Sequence, residues 1–210
     1  MEIDDLEHHE GAKVSEVDSL DHLAEVKKGS RGKSILRVFT ELLEIAIIAG
    51  ALFLAVNMVT ARVRVESISM EPSLYEGEFV VVNKLAYRWA EPQRGDIIVF
   101  RYPGNPSKRF IKRIIGLEGD IISVQDEKVY VNGTIIEEPY IKAAPRYEGE
   151  WVVGHGKVFV LGDNRNNSND SKNWEPLSMD SVIGKAIFVY WPPNKINIIP
   201  HYDLMATESS

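Results

Sequence analysis

Val129-Tyr130-Val131-Asn132-Gly133-Thr134-Ile135-Ile136 reads as a β-hairpin. β-Branched and aromatic residues flank Asn-Gly, the dipeptide that best tolerates the two positive φ angles of a type I′ turn. Asn132-Gly133-Thr134 is also a glycosylation sequon, yet the turn accounts for these residues without it. Similar short runs lie on both sides: 78–82 (EFVVV), 96–100 (DIIVF), 120–124 (DIISV), 128–131 (KVYV), 157–161 (KVFVL) and 182–191. Turn residues separate them at Arg94-Gly95-Asp96, Glu118-Gly119-Asp120 and Gly162-Asp163-Asn164. No long amphipathic helix interrupts the series and no internal repeat is visible. The pattern predicts an all-β domain, mainly an antiparallel coiled or barrel-like sheet.

The chain has 210 residues, 24 Lys plus Arg against 31 Asp plus Glu, and no cysteine. This length and a 44% hydrophobic content suffice for one real core. The absence of cysteine excludes disulfides, thiolate metal sites and a cysteine nucleophile. A net charge of −7 argues against nucleic acid as a partner, because phosphate binding needs a basic surface.

Charge is distributed unevenly. Residues 1–26 hold Glu2, Asp4, Asp5, Glu7, Glu10, Glu16, Asp18, Asp21 and Glu25 against Lys13 alone, which predicts a solvated tail. His8 and His9 beside Glu7 and Glu10 are set against a loose metal site, and the bland acidic tail is the better reading, so no metal is expected. Lys27, Lys28, Arg31, Lys33 and Arg37 then form a basic block. Behind it, 45–61 (IAIIAGALFLAVNMVTA) is uncharged, and extension back to 38 gives 24 residues that include Glu41 and Glu44. At ~1.5 Å per residue the two lengths are about 26 and 36 Å, bracketing a hydrocarbon core of roughly 30 Å.

One transmembrane helix at 38–61 is therefore expected, in preference to a buried core helix or a cleaved signal peptide. Five bases precede the span and only Arg62 and Arg64 follow closely, so the positive-inside rule places 1–37 in the cytoplasm and 62–210 beyond the membrane. The protein is expected in the cell membrane, with the lipid bilayer as a partner.

A hydrolase without cysteine must draw its nucleophile from Ser, Thr or a carboxylate. Ser67-Ile68-Ser69-Met70-Glu71-Pro72-Ser73-Leu74 follows the span closely and contains a stiffening proline. Serine needs a base, and beyond the span only His155 and His201 are available for a histidine triad. A lysine serves instead if burial lowers its pKa by several units. In Phe110-Ile111-Lys112-Arg113-Ile114-Ile115-Gly116, strand alternation puts Lys112 beside Phe110 and Ile114, with Ile111, Arg113 and Ile115 on the other face. A lysine snorkelling to the surface fits the same pattern. A third segment, 162–172 (GDNRNNSNDSK), is dense in Asn, Asp and Ser. It suits either a surface loop or a side-chain-bonded scaffold able to hold a nearby amine, with Asp163, Arg165 and Asp170 available for ion pairs.

Together and in this order, these segments resemble the bacterial type I signal peptidases, membrane-anchored serine endopeptidases that remove signal peptides from exported precursors. The resemblance covers residues 38–191 and rests on Ser69-Met70-Glu71-Pro72-Ser73-Leu74, Lys112-Arg113, and Gly162-Asp163-Asn164-Arg165-Asn166-Asn167-Ser168-Asn169-Asp170-Ser171. It implies Ser69 as nucleophile and Lys112 as general base, with the Ser69 N–H and the Ser67 hydroxyl as an oxyanion hole. It also implies Ser168 as the residue orienting the lysine, and structural positions for Arg113, Asp163, Arg165 and Asp170 near the site.

Precursors with small residues at −1 and −3 (Ala-x-Ala) are the implied substrates, paired to an open strand edge. Ile68, Met70 and the strand residues Phe79, Val80, Val81 and Val82 are the expected pocket walls, and no cofactor or metal is implied. Glu118, Asn166 and Lys172 depart from the usual Pro, Asp and Arg of the family. The short 116–161 stretch suits the compact, single-span form without a large inserted domain. The rival readings are a self-cleaving repressor-type serine–lysine protease and a membrane-anchored β domain that binds exported peptides without cutting them.

Overall fold

A computed structural model describes residues 36–204. The acidic tail and most of the basic block, with His8 and His9, lie outside the described residues. The chain divides into two units after Ala55.

The first unit belongs to helix α1 (Leu36–Val59), 24 residues long and apolar enough to cross a membrane. Its apolar side chains, Leu42, Ile48 and Leu54 among them, are exposed. Near its start Arg37 Nε lies 3.4 Å from Glu41 Oε1, one turn on, so this carboxylate is paired where it enters the apolar stretch. The helix stops two residues before the expected end at 61. Thr60 and Ala61 instead open the first strand, pairing with Asn83 and Val82, because a β-branched residue beside an available ladder gains more from the sheet.

The second unit is mainly β, with two short helices at Ala86–Trp89 and Ser171–Trp174. Its strands are β1 (Thr60–Arg64), β2 (Phe79–Asn83), β3 (Ile97–Tyr102), β4 (Asn105–Gly116), β5 (Ile121–Gln125), β6 (Lys128–Val131), β7 (Thr134–Ile135), β8 (Gly149–Val152), β9 (Lys157–Leu161), β10 (Leu177–Ser178), β11 (Val182–Trp191) and β12 (Asn197–Ile198). The larger sheet runs β1-β2-β11-β3-β4-β9-β10, with β12 on β11, and the smaller runs β7-β6-β5-β8. Every pairing is antiparallel. The strands expected from sequence recur within a residue or so, apart from a longer β3.

Two short turns join β5, β6 and β7. Asn132 (φ 52°) and Gly133 (φ 80°) form the expected type I′ hairpin, while Asp126 (φ 49°) and Glu127 (φ 61°) make a second two-residue turn with no glycine to announce it.

Burial follows the pleat. In β2, Val80 and Val82 are buried and alternate with half-buried neighbours. In β3, all of Ile97–Phe100 is buried, since both faces of this central strand are covered. Strand β4 changes character along its length. Asn105–Arg109 is exposed, whereas Ile111–Gly116 is buried on both faces: Ile114 joins Ile98, Phe100 and Val160 in one cluster, and Ile115 joins Ile122, Phe159 and Leu161 in another. Only the buried half is flanked on its far side, where Arg113, Ile114 and Gly116 pair with β9. Lys112 thus enters the interior on a strand held from two sides, while the outer edge of the exposed half has no strand partner among those pairings.

Candidate active site

Ser69 sits in a single 3-10 turn, Ile68–Met70, anchored by the buried Met70 and closed by Glu71 N donating to Ile68 O (3.1 Å). One residue of the polar loop after β9 holds this turn. Asn164 donates from its backbone N to Ser69 O and from Nδ2 to Ile68 O, both at 3.1 Å. Gly162 lets the loop come so close: a Cβ there would overlap both the Ser69 carbonyl oxygen and Ser168 Oγ. Ser67, two residues before Ser69, places its hydroxyl 3.1 Å from Ser69 Oγ.

Lys112 reaches the same hydroxyl from β4. Its Nζ donates to Ser69 Oγ at 2.6 Å and to Ile111 O at 2.9 Å, and it lies 5.4 Å from the Phe110 ring centroid. The residue is only 3% exposed, so its side chain runs inward rather than snorkelling out. Burial among apolar side chains lowers its pKa from 10.5 to about 8. Asp170 and Asp163 oppose that shift by favouring the charged form, and Lys172 adds to it.

The carboxylates and arginines around the pair form a buried frame. Arg113, next to Lys112 but on the other face, is fully buried. It donates to Asp163 through Nε (2.9 Å) and Nη2 (2.7 Å), to Gly95 O through Nη1 (2.8 Å), and lies 4.0 Å over the Tyr140 ring. Its Nη2 also reaches Ser73 Oγ (3.3 Å), tying the strand that carries the amine to the segment that carries Ser69. Arg165 donates to Gly162 O (3.1 Å), and its Nη1 lies 2.5 Å from Glu138 Oε1 as an ion pair without hydrogen-bond alignment. Asp170 accepts from Gly162 N (3.0 Å) and from Lys172 Nζ (3.1 Å).

The three departures each have partners. Lys172 compensates for its missing fork by donating also to Ser168 O (2.6 Å), and Asn166 bridges Ala144 O and Arg146 N (2.9 and 2.8 Å). Glu118 binds His155 Nδ1 (2.5 Å) and Gly156 N (2.9 Å) at the surface. The Gly156 N–H, then the His155 ring, hold its carboxyl below the usual range.

Two groups of the expected residues stand apart from the dyad in this geometry. Ser168 Oγ is buried against Gly162 without a hydrogen-bond partner, while the Lys112 amine donates to Ser69 and to the Ile111 carbonyl. The cleft above Ser69 and Lys112, about 690 Å³, is lined by Met70 but not by Ile68, Phe79, Val80, Val81 or Val82. The reason is topological, because β2 is sandwiched between β1 and β11 and has no free edge. The strand at the cleft is β1, the edge of the large sheet, through Arg62–Arg64 and the following Val65, with β4 residues Ser107–Ile111 opposite. Asn164, Gly162, Glu138 and Tyr140 were not anticipated. The density of Asn in the loop and the Gly-Asp-Asn turn that opens it were the available signal for the first two, and the others share no motif with the site. Among the described residues no cluster of His, Asp and Glu side chains is arranged to hold a metal.

A buried amine on a serine hydroxyl, at the base of a cleft walled by strand edges, is the arrangement a serine–lysine hydrolase requires. Residues 38–191 match the family of signal peptidases, peptidase S26, and the chain belongs to that family. Similar proteins include thylakoidal processing peptidase 1 of Arabidopsis thaliana (38% identity over 154 residues, 68% of this chain and 45% of that protein) and signal peptidase I of Leptolyngbya laminosa (40% over 154 residues, 69% and 76%). A crystal structure of a signal peptidase I from Enterococcus faecalis overlaps 46% of this chain and 97% of that one, with 32% identity and a TM-score of 0.43. The chain spans less than half the length of the Arabidopsis relatives it matches.

Proposed function

We propose that this protein is a membrane-bound signal peptidase that cleaves exported precursors after small residues, with Ser69 as nucleophile and Lys112 as general base. The observation that carries the reading is the 2.6 Å contact between Lys112 Nζ and Ser69 Oγ at a 3% exposed lysine. Only a desolvated amine is neutral often enough near pH 8 to take a serine proton.

The mechanism follows from these atoms. An extended precursor segment lies in the cleft and pairs with the edge of β1 and the exposed edge of β4. Val65, Met70 and Ile111 offer shallow apolar walls for the small side chains of Ala-x-Ala. Lys112 accepts the Ser69 proton as Oγ attacks the scissile carbonyl. The Ser67 hydroxyl and the Ser69 N–H receive the developing oxyanion, and they contribute most at the transition state. Lys112 passes its proton to the leaving amine and then activates the water that releases the acyl group. Ser168, buried beside Gly162, serves by fixing the loop against the Ser69 turn or, after a small rotation, by bonding the amine. Helix α1 anchors the enzyme, with the residues before it in the cytoplasm and 62–210 on the far side, the orientation the flanking charges favour.

The test is cleavage of a precursor bearing an Ala-x-Ala site by the detergent-solubilised protein and by its Ser69→Ala and Lys112→Ala variants, with the new N-terminus sequenced. Cutting after the small residue by the parent alone is expected. Turnover by either variant overturns the dyad, and binding without cutting by the parent supports the non-cutting peptide-binding reading.

A further inference from the structure

Six cations of the β unit are matched by carboxylates. Arg94, Arg113, Arg165, Lys172, Lys185 and Lys195 each meet a carboxylate within 3.1 Å. Arg62, Arg64, Lys108 and Arg109 are among the cations without such a partner, and they are gathered in one place. All four are exposed, all four line the cleft above Ser69, and none forms an ion pair among the described residues. Glu66 is the single acid in that lining, and Lys112 is the remaining titratable group there.

The arrangement carries a cost. Arg109 stands directly opposite Arg101 across the β3–β4 ladder, where like charges repel, and Arg101 has no ion pair either. Side chains in a cleft with low-dielectric walls focus the field along its axis, so an excess of positive charge there acts on whatever lies in the cleft.

From this we infer that Arg62, Arg64, Lys108 and Arg109 are specificity residues, which select precursors carrying an acidic side chain a few residues from the cleavage point. The inference rests on the proposed peptidase activity. The spacing follows from strand geometry. Arg109 and Lys108 precede Lys112 by three and four residues on one strand, which at roughly 3.3 Å per residue is about 10–13 Å. A substrate segment lying alongside has the same rise, so the favoured acid falls about three to four residues from the scissile bond. An extended peptide is the occupant these observations favour over a lipid headgroup, because the cations line the nucleophile's own cleft between two strand edges able to hold a main chain.

The experiment uses the full chain in an uncharged detergent. A neutral Ala-x-Ala precursor is compared with versions bearing one Asp at positions three to five on either side of the cleavage point. At low salt, an Asp on one side is expected to raise kcat/KM by about 5-fold, the size of one or two exposed charge pairs, and the gain should vanish near 0.5 M salt, where the Debye length is roughly 4 Å. The acidic-to-neutral ratio should fall to about one in Lys108→Gln/Arg109→Gln and below one in Lys108→Glu/Arg109→Glu.

A ratio of one at every position in the parent, or a ratio untouched by charge reversal, overturns the inference while leaving the peptidase reading intact. Failure to cut any precursor overturns both. Binding to phosphatidylcholine vesicles with and without phosphatidylglycerol separates the lipid alternative. If charge reversal weakens vesicle binding but leaves the ratio alone, the cations serve the membrane surface and the inference falls.

Discussion

Lys112 Nζ and Ser69 Oγ lie 2.6 Å apart, at hydrogen-bonding distance. While Lys112 is charged this bond points the wrong way for catalysis, because the ammonium donates to the hydroxyl. Loss of the proton reverses it, and the lone pair then accepts from Ser69. Since burial lowers the lysine's pKa to about 8, kcat/KM should rise about tenfold per pH unit below that value and level off above it. Lys112→Arg, which stays charged, should show no such rise. A flat profile between pH 6 and 9 in the parent would contradict the role given to Lys112.

The same burial is a stability statement. In the unfolded chain Lys112 keeps its proton up to about 10.5, whereas in the fold it releases it near 8. Between these values the unfolded state binds more protons, so this lysine makes stability rise with pH from about 8 to 10.5 and exerts its full penalty below 8. The shift corresponds to about 3 kcal/mol at ~1.4 kcal/mol per unit. Lys112→Met should therefore be inactive yet more stable at pH 7, with a higher Tm, and should lose most of the stability gain between pH 8 and 10. A lower Tm for Lys112→Met at pH 7 would count against a desolvated lysine.

Arg113 and Asp163 are fully buried and joined by two hydrogen bonds. Removing one partner leaves a buried charge unmatched, so Arg113→Ala should cost about 3–5 kcal/mol, and Arg113→Lys should recover little because ammonium lacks the fork. Arg113→Met/Asp163→Leu should be less damaging than Arg113→Ala, since neither charge is then stranded. Urea titration of the three variants provides the comparison.

Much of this was legible in the sequence, for a physical reason. Strand alternation and turn residues are local signals, so β6, β9 and β11 could be placed from their own residues. The two-residue turn at Asp126 and Glu127 could not, because non-glycine residues take positive φ there only under the constraint of the paired strands. The Ser69 and Lys112 segments carry local signatures, an apolar strand with one cation and a proline-stiffened serine turn. The pocket walls do not. Whether a strand lines a cleft depends on its neighbours in the sheet, and the valine-rich β2 gives no hint that β1 and β11 enclose it. Likewise Asn164 is one of several asparagines in its loop, and only the fold brings it to the Ser69 turn.

Gly162 tests that clamp. Its φ is not in the left-handed region, so Gly162→Ala brings no backbone strain of that kind and acts through overlap with the Ser69 carbonyl and Ser168 Oγ. The Ser69 turn must shift, and a displacement near 1 Å costs roughly 100-fold in rate. Gly162→Ala should lose about that much kcat, with a smaller change in KM and a folded β-sheet circular dichroism spectrum. Wild-type kcat would show that the turn is held without this close approach.

Asp170 and Lys172 act on Lys112 with opposite signs. Asp170 favours the ammonium and raises its pKa, and Lys172 disfavours it and lowers it. Both partners are bonded to each other and to the loop that holds the Ser69 turn, so either substitution will reduce the rate by loosening the loop. The pH profile separates the electrostatic effect from that loss. Lys172→Met removes a positive charge and releases Asp170, so the rising limb should move to higher pH. Asp170→Asn removes a negative charge, and the limb should move to lower pH while the Gly162 N–H can still find an acceptor. A purely structural role for the pair predicts lower rates with the limb unmoved in both variants. Profiles of kcat/KM from pH 6 to 10 in the parent and the two variants decide between these outcomes.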